Sequence, residues 1–436
     1  CEAQLRAGTG RWATRYELLD RSGSVVERDL GGVVDAATVE FQSEQEIKGS
    51  LELEMRPHDL LGDTSLFQYR IKPYYRLEMP DGGWAEWPLG VYVWTRPARS
   101  LTGLLADEDE PSADWSATLG DLSHLLDLAG PSPDGFKVEK NEPLTSGIRR
   151  ALQAGGFTNT AGVVESDEVA GEPLFWALRT PRKRRRRIHA ARRAERDARK
   201  IQQAVSAGFA TQAASDAAQR RVRRAQKRAK FKYEVEYGAT TWLSIIGDLT
   251  EALGYHQLFF DATGVARVIP TVNYKNGVSA GVTFGTTDRG VTAEPVDVDY
   301  DLSEFANIVY TQTQNKLAIQ VVGTADANVL VPGHPLSQAR LGKYVQHVET
   351  VDKAPSKAAL EKTATWLLYR KLSFYEQIDL STLPWPVHEG FETVGLVHSG
   401  DSEYATTKFF LETGWSLDLV SGEMTHALRR VWIPGD

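Results

Sequence analysis

The sequence predicts a β-rich multidomain α+β protein: two antiparallel β-barrel-like domains flanking a mixed α/β domain that carries a basic helical hairpin insert. Three observations predict it. Apolar residues alternate with a period of two through both terminal thirds, a helical period replaces it in between, and one Arg- and Ala-rich run interrupts the middle. At 436 residues the chain exceeds the roughly 250–300 at which a single core stops growing. The pattern divides it at residues 1–135, 136–285 and 286–436, with the insert at 181–232.

In the first domain Ile47, Leu51, Leu53 and Met55, with Gly49 in register, face one way, while Lys48, Ser50, Glu52 and Glu54 face the other. That alternation marks a half-buried strand. Residues 16–19 and 25–30 flank the Ser22-Gly23 turn, and residues 69–79 meet 84–94 across Pro80-Asp81-Gly82-Gly83. Successive hairpins suggest a closed or nearly closed barrel. An acidic loop at 106–112 precedes a strand at 115–119 and a short helix at 122–126.

The middle domain opens on a helix at 144–153, stopped by Gly155-Gly156. Trp242, Leu243, Ile245, Ile246, Leu249 and Leu253 form a second helical stripe ending at Gly254. The period then returns to two in a hairpin turning at 261–264 and closed by Pro270. The third domain reads as strands at 305–313, 316–322, 344–351, 375–380 and 409–419, with an amphipathic helix at 357–372.

The insert polarises the charge. The net charge is −8, yet residues 182–232 hold 19 Lys or Arg against 3 Asp or Glu, which leaves −24 on the remainder. Ala, Arg, Lys and Gln favour helix, so two arms at about 182–205 and 211–232, joined near Gly208, are expected. The candidate contacts to an anionic partner or DNA are Arg184, Arg185, Arg186 and Arg187, continued by Arg192 and Arg193. Arg220, Arg221, Arg223 and Arg224 mirror them on the second arm. Such density fits phosphate contact, an acidic protein neighbour, or a solvated projection.

Catalytic signatures fail on context. Gly277-Val278-Ser279-Ala280-Gly281 matches a hydrolase elbow, which needs a helix leaving the serine, but strand-forming Val282-Thr283-Phe284 follows. His388-Glu389-Gly390 lacks a second histidine four residues on, and prolines surround it. The nine histidines are scattered, and the single cysteine, Cys1, allows neither an intrachain disulfide nor a Cys-based zinc site. No catalytic residue, metal or cofactor is expected. No apolar run reaches the roughly 18–20 residues of a membrane helix and no signal peptide opens the chain, so synthesis in the cytoplasm is expected. Cys1 reads as a trimmed start, or else as a lipid-modified one.

Several runs carry a family likeness. Residues 69–97, with Trp87-Pro88-Leu89-Gly90-Val91-Tyr92, then a Trp115-centred strand and Asp121-Leu122, resemble the opening domain of minor tail proteins of long-tailed phages infecting actinobacteria. Ser303-Glu304-Phe305-Ala306-Asn307-Ile308, Pro335-Leu336-Ser337-Gln338, Met424-Thr425-His426 and Arg429-Arg430-Val431 resemble that family's closing domain. The family is similar to the central hub of phage baseplates and of contractile injection systems. The resemblance implies a structural, non-enzymatic virion protein: a homotrimer whose six barrel-like domains adapt the sixfold tail tube to a threefold spike or fibre. Its implied partners are the tube ring above, the spike or fibre below and the tape measure protein, with the DNA end in the tail channel beside the insert. Host attachment and DNA ejection are the implied processes. A tail-associated glycan- or cell-wall-degrading enzyme, and a receptor- or nucleic-acid-binding module, stay open as alternatives.

Overall fold

A computed structural model describes residues 5, 10–56, 66–101, 113–132, 135–171, 174–176, 219, 235–236, 240–271, 278–285, 296–303, 305–314, 320–351, 354, 356–373, 375–387, 389–398, 400 and 403–432. It is β-rich, with few helices among the described residues. The first segment holds β1 (Trp12–Leu19), β2 (Val25–Glu27), β3 (Val34–Gln42), β4 (Gly49–Met55), β5 (Arg70–Glu78), β6 (Trp84–Pro88), β7 (Tyr92–Leu101) and β8 (Ala113–Asp121), then α1 (Ser123–Leu128). Strand β4 alternates as its sequence requires: Leu51, Leu53 and Met55 are buried and Glu52 and Glu54 exposed. The first hairpin turns at Gly23, whose positive φ of 86° the residue type permits without strain. The second hairpin differs from expectation. Its return arm ends at Pro88, Gly90 takes φ 129°, and Tyr92 begins a separate strand whose main partner is β8. A chain with a proline and a left-handed glycine two residues apart cannot hold one ladder.

The middle segment contains β9 (Phe136–Val138), α2 (Leu144–Ala154), β10 (Leu174–Trp176), β11 (Val235–Glu236), α3 (Trp242–Leu253), and the short hairpin β12 (Phe259–Phe260) and β13 (Ala266–Arg267). Helix α3 starts at a reciprocal cap, Thr241 Oγ1 accepting from Ser244 N while Ser244 Oγ accepts from Thr241 N, and stops at left-handed Gly254. Its apolar stripe meets α2 in a core of its own that includes Ile148, Leu152, Ile246, Leu249 and fully buried Trp176.

The last segment runs β14 (Val282–Gly285), β15 (Asp297–Asp299), β16 (Ile308–Gln314), β17 (Gln320–Asp326), α4 (Ala327–Leu330), α5 (Gln338–Leu341), β18 (Gln346–Thr350), α6 (Lys357–Ser373), β19 (Gln377–Thr382), β20 (Thr393–Val397), β21 (Lys408–Asp418) and β22 (Met424–Arg430). Strand β16 lies between antiparallel β17 and parallel β18, and α6 packs across β16 and β17. At Gly323 of β17 the backbone of Leu360 and Glu361 leaves no room for a side chain. Thr311 Oγ1 donates to Leu360 O at 2.8 Å and ties the same spot.

The two terminal segments meet in one sheet. Its order is β15-β19-β22-β21-β3-β4-β8-β7-β5-β1-β2, with β6 on β5 and β14-β20 on β21. The edge of β3 that lies away from β4 pairs with β21, Gln42 opposite Gly414 and Thr38 opposite Asp418. A single apolar cluster follows the junction, containing Leu18, Leu51 and Leu53 together with Phe284, Phe410 and Leu428.

Candidate functional site

All ten basic residues singled out in the insert, from Arg184 to Arg224, lie outside the described residues, as do His388 and both expected helical arms apart from Gln219. What is described is the root of the insert. Strands β10 and β11 are neighbours and run parallel, Phe175 opposite Val235 and Trp176 opposite Glu236, so the described residues on either side of the insert stand side by side. The indole of Trp176 donates to Asp248 Oδ2 of α3 at 2.7 Å and pins that place. Ser279 is exposed, and Ala280-Gly281 lead into β14, which pairs parallel with β20. A strand leaves the serine where the elbow needs a helix, so Ser279 has no scaffold for nucleophilic attack.

One hydroxyl–imidazole–carboxylate chain does exist. Thr382 Oγ1 lies 2.8 Å from His426 Nε2, and His426 Nδ1 lies 2.6 Å from Glu412 Oε1. The register sets it: Thr382 of β19 faces Met424 two residues before His426, and β21 presents Glu412 from the other side. All three residues are buried, and Thr382 Oγ1 also contacts its neighbour's carbonyl, Leu383 O, at 2.8 Å. Buried, and with its hydroxyl placed between the imidazole and that carbonyl, the threonine ties three strands together. Nothing in the sequence linked these positions, because they lie on three separate strands.

A cleft of about 480 Å³ lies between α3 and α6, floored by β21 and β22. Helix α3 presents Ser244, Gly247, Asp248 and Glu251, one face at helical spacing. Helix α6 answers with Thr363, Trp366, Leu367 and Arg370. At its mouth Glu44 Oε1 accepts from Arg370 at 2.9 Å and from Arg429 at 2.5 Å. Burial opposes ionisation of Glu44, but the hydrogen bonds and charge of the two guanidiniums hold its carboxyl below the usual range. Deeper in, His256 is 4% exposed and packs on Phe391 with ring centroids 4.1 Å apart. Burial, with a smaller contribution from Lys48, pushes the His256 imidazole down to about 3, so it is neutral at physiological pH. Phe391 sits at φ 64°, a conformation bulky residues rarely adopt. Sequence reasoning passed over this cleft, whose lining comes from seven separate segments.

Compared with solved structures, the whole architecture is shared. The chain aligns with the tail protein from Neisseria meningitidis MC58 at a TM-score of 0.52 and 11% identity, covering 97% of this chain and 98% of that one. It aligns with the 43 kDa tail protein of prophage MuSo2 from Shewanella oneidensis at a TM-score of 0.51 and 10% identity, covering 95% and 98%. Identity this low makes the likeness one of fold. No protein-family model and no curated protein matches the chain.

Proposed function

We propose that this chain is a structural component of a phage-type tail tip, a hub subunit resident in the virion tail. The observation that carries the reading is the end-to-end likeness to two tail proteins, which leaves almost none of either chain unaligned. A match of that extent concerns the arrangement of all the units, not one widely shared module.

Within this reading three copies form a ring that adapts a sixfold tube to a threefold spike or fibre. The main sheet supports it, since among the described residues its path ends at β2 and β15 with one side of each strand unpaired. Val25 and Val26 on the first, and Tyr300 and Leu302 just past the second, are exposed apolar residues. A closed ring covers such edges against neighbours and limits further growth. The partners are other tail proteins: the tube ring, the spike or fibre and the tape measure protein. The insert, through Arg184 to Arg187, Arg192, Arg193, Arg220, Arg221, Arg223 and Arg224, contacts an anionic partner in the channel, the DNA end or an acidic neighbour. The role is non-enzymatic.

Native mass spectrometry of the full chain, alone and with partner tail proteins, tests the ring, and three copies are expected. A chain that stays monomeric alone and in the particle would refute it. Cryo-EM of particles labelled on this chain then locates it, and a position away from the tail tip would overturn the whole reading.

A further inference from the structure

We propose that the cleft between α3 and α6 is a binding site for a neutral saccharide. Its size, about 480 Å³, lies in the range of small-molecule sites, and its wall comes from segments as distant as Glu44 and Trp432.

The ligand class follows from which lining groups are already satisfied. Glu44 is held by Arg370 and Arg429, Asp248 accepts from the Trp176 indole, and Glu349 Oε2 lies 3.1 Å from His347 Nε2. Glu251 is engaged as well. Both guanidiniums of the lining bond Glu44, so an anion finds no free cation here, and each of the four lining carboxylates already has a partner within the protein. Neutral polar atoms are what remain. Both ring nitrogens of His256 and the indole Nε1 of Trp432 are buried with no hydrogen-bond partner. A neutral imidazole carries one donor and one acceptor, and the indole is a donor only. Hydroxyl groups, each able to donate and accept, suit that mixed set.

The apolar part of the lining is aromatic. Trp366 is half-buried on the α6 wall, and Phe391 is held against His256 by its left-handed backbone. Flat aromatic faces next to planar polar groups match a pyranose ring, which has an apolar face of C–H groups and an equatorial rim of hydroxyls. Gly247, in the middle of the α3 wall, has open space where a Cβ would stand, which keeps the cleft wide at its centre. The inference is independent of the ring arrangement proposed above.

The test is titration of the full chain with glucose, galactose, mannose, rhamnose, N-acetylglucosamine and their disaccharides, followed by calorimetry and tryptophan fluorescence. At least one sugar is expected to bind saturably, one per chain. Two variants connect binding to the site. His256→Phe keeps the stacking on Phe391 but removes both nitrogens, and Trp366→Ala removes the aromatic wall. Each is expected to weaken binding about tenfold, the equivalent of one hydrogen bond or stacking contact, while thermal melting shows the chain folded. No saturable binding by any of these sugars, or binding that both folded variants leave unchanged, overturns the proposal.

Discussion

Replacing Gly323 with alanine should loosen the contact between α6 and its sheet. A Cβ at this position would stand 2.5 Å from the carbonyl carbon of Leu360 and 2.7 Å from both Leu360 O and Glu361 N. Ordinary contact distances are about 3.5–4 Å, so the overlap is about 1 Å and falls on helix backbone, which no rotamer change relieves. Either β17 bows or α6 lifts. Overpacking of this kind costs about 1–3 kcal/mol. If α6 lifts, the hydrogen bond from Thr311 Oγ1 to Leu360 O lengthens and about 1 kcal/mol more is lost. The core beneath, including Val309, Ala364 and Leu368, is then packed less closely. The assay is urea unfolding of the full chain, followed by tryptophan fluorescence, with Thr311→Val measuring the hydrogen-bond share separately. A midpoint for Gly323→Ala equal to that of the unsubstituted chain would show that the helix does not sit where the geometry puts it.

Gly247→Ala should act in the opposite sense, stabilising by about 0.5–1 kcal/mol, because its Cβ meets nothing within 4 Å in a helix interior; a loss of stability in the same urea assay would contradict this. Lys48 is 1% exposed and its ammonium donates to Gln45 O and, at 2.9 Å, to Gln257 Oε1. Burial, partly offset by Asp121, lowers its pKa from 10.5 to about 8. Between those values the unfolded chain binds the extra proton, so this residue makes stability rise with pH across that window. The rise should be smaller in Lys48→Met, measured as unfolding free energy against pH, and equal slopes would refute the assignment. Arg430→Met should cost about 3–5 kcal/mol by leaving the buried Glu376 carboxylate without its nearest cation, 3.4 Å away. Adding Glu376→Gln should recover most of the loss in a double-mutant cycle, and strict additivity would argue against coupling.

Local chemistry was legible in the sequence wherever one segment contains its own reason. The alternation from Gly49 to Met55, the stripe from Trp242 to Leu253 with its glycine stop, and the Ser22-Gly23 turn each became the expected element. The rest depended on distant partners. Strand β20 reads Thr-Val-Gly-Leu-Val and is buried without alternation, so no period of two marks it in the sequence; its place between β14 and β21 is set by distant pairing. The strand expected at 316–322 is found at Gln320–Asp326, where pairing with β16 fixes the register. The second hairpin lost its long return arm to β8, a competitor no local pattern announces. The cleft was least legible of all. His256, Trp366 and Phe391 are ordinary core residues until the fold brings them to one concavity.

The pairing of β3 with β21 also sets an order of events during synthesis. Gln42 finds its partner only when Gly414 has left the ribosome, so β3 waits through most of translation with one ladder of backbone groups unpaired. Non-local pairing of this kind is slow to form and vulnerable while it waits. A chain cut short before β21 would carry a permanently open strand between Val34 and Gln42, and such an edge invites pairing with whatever strand it meets. Completion of the sheet therefore serves as a check on the chain's integrity: only a molecule translated through its late strands can hide the edge that its early ones expose.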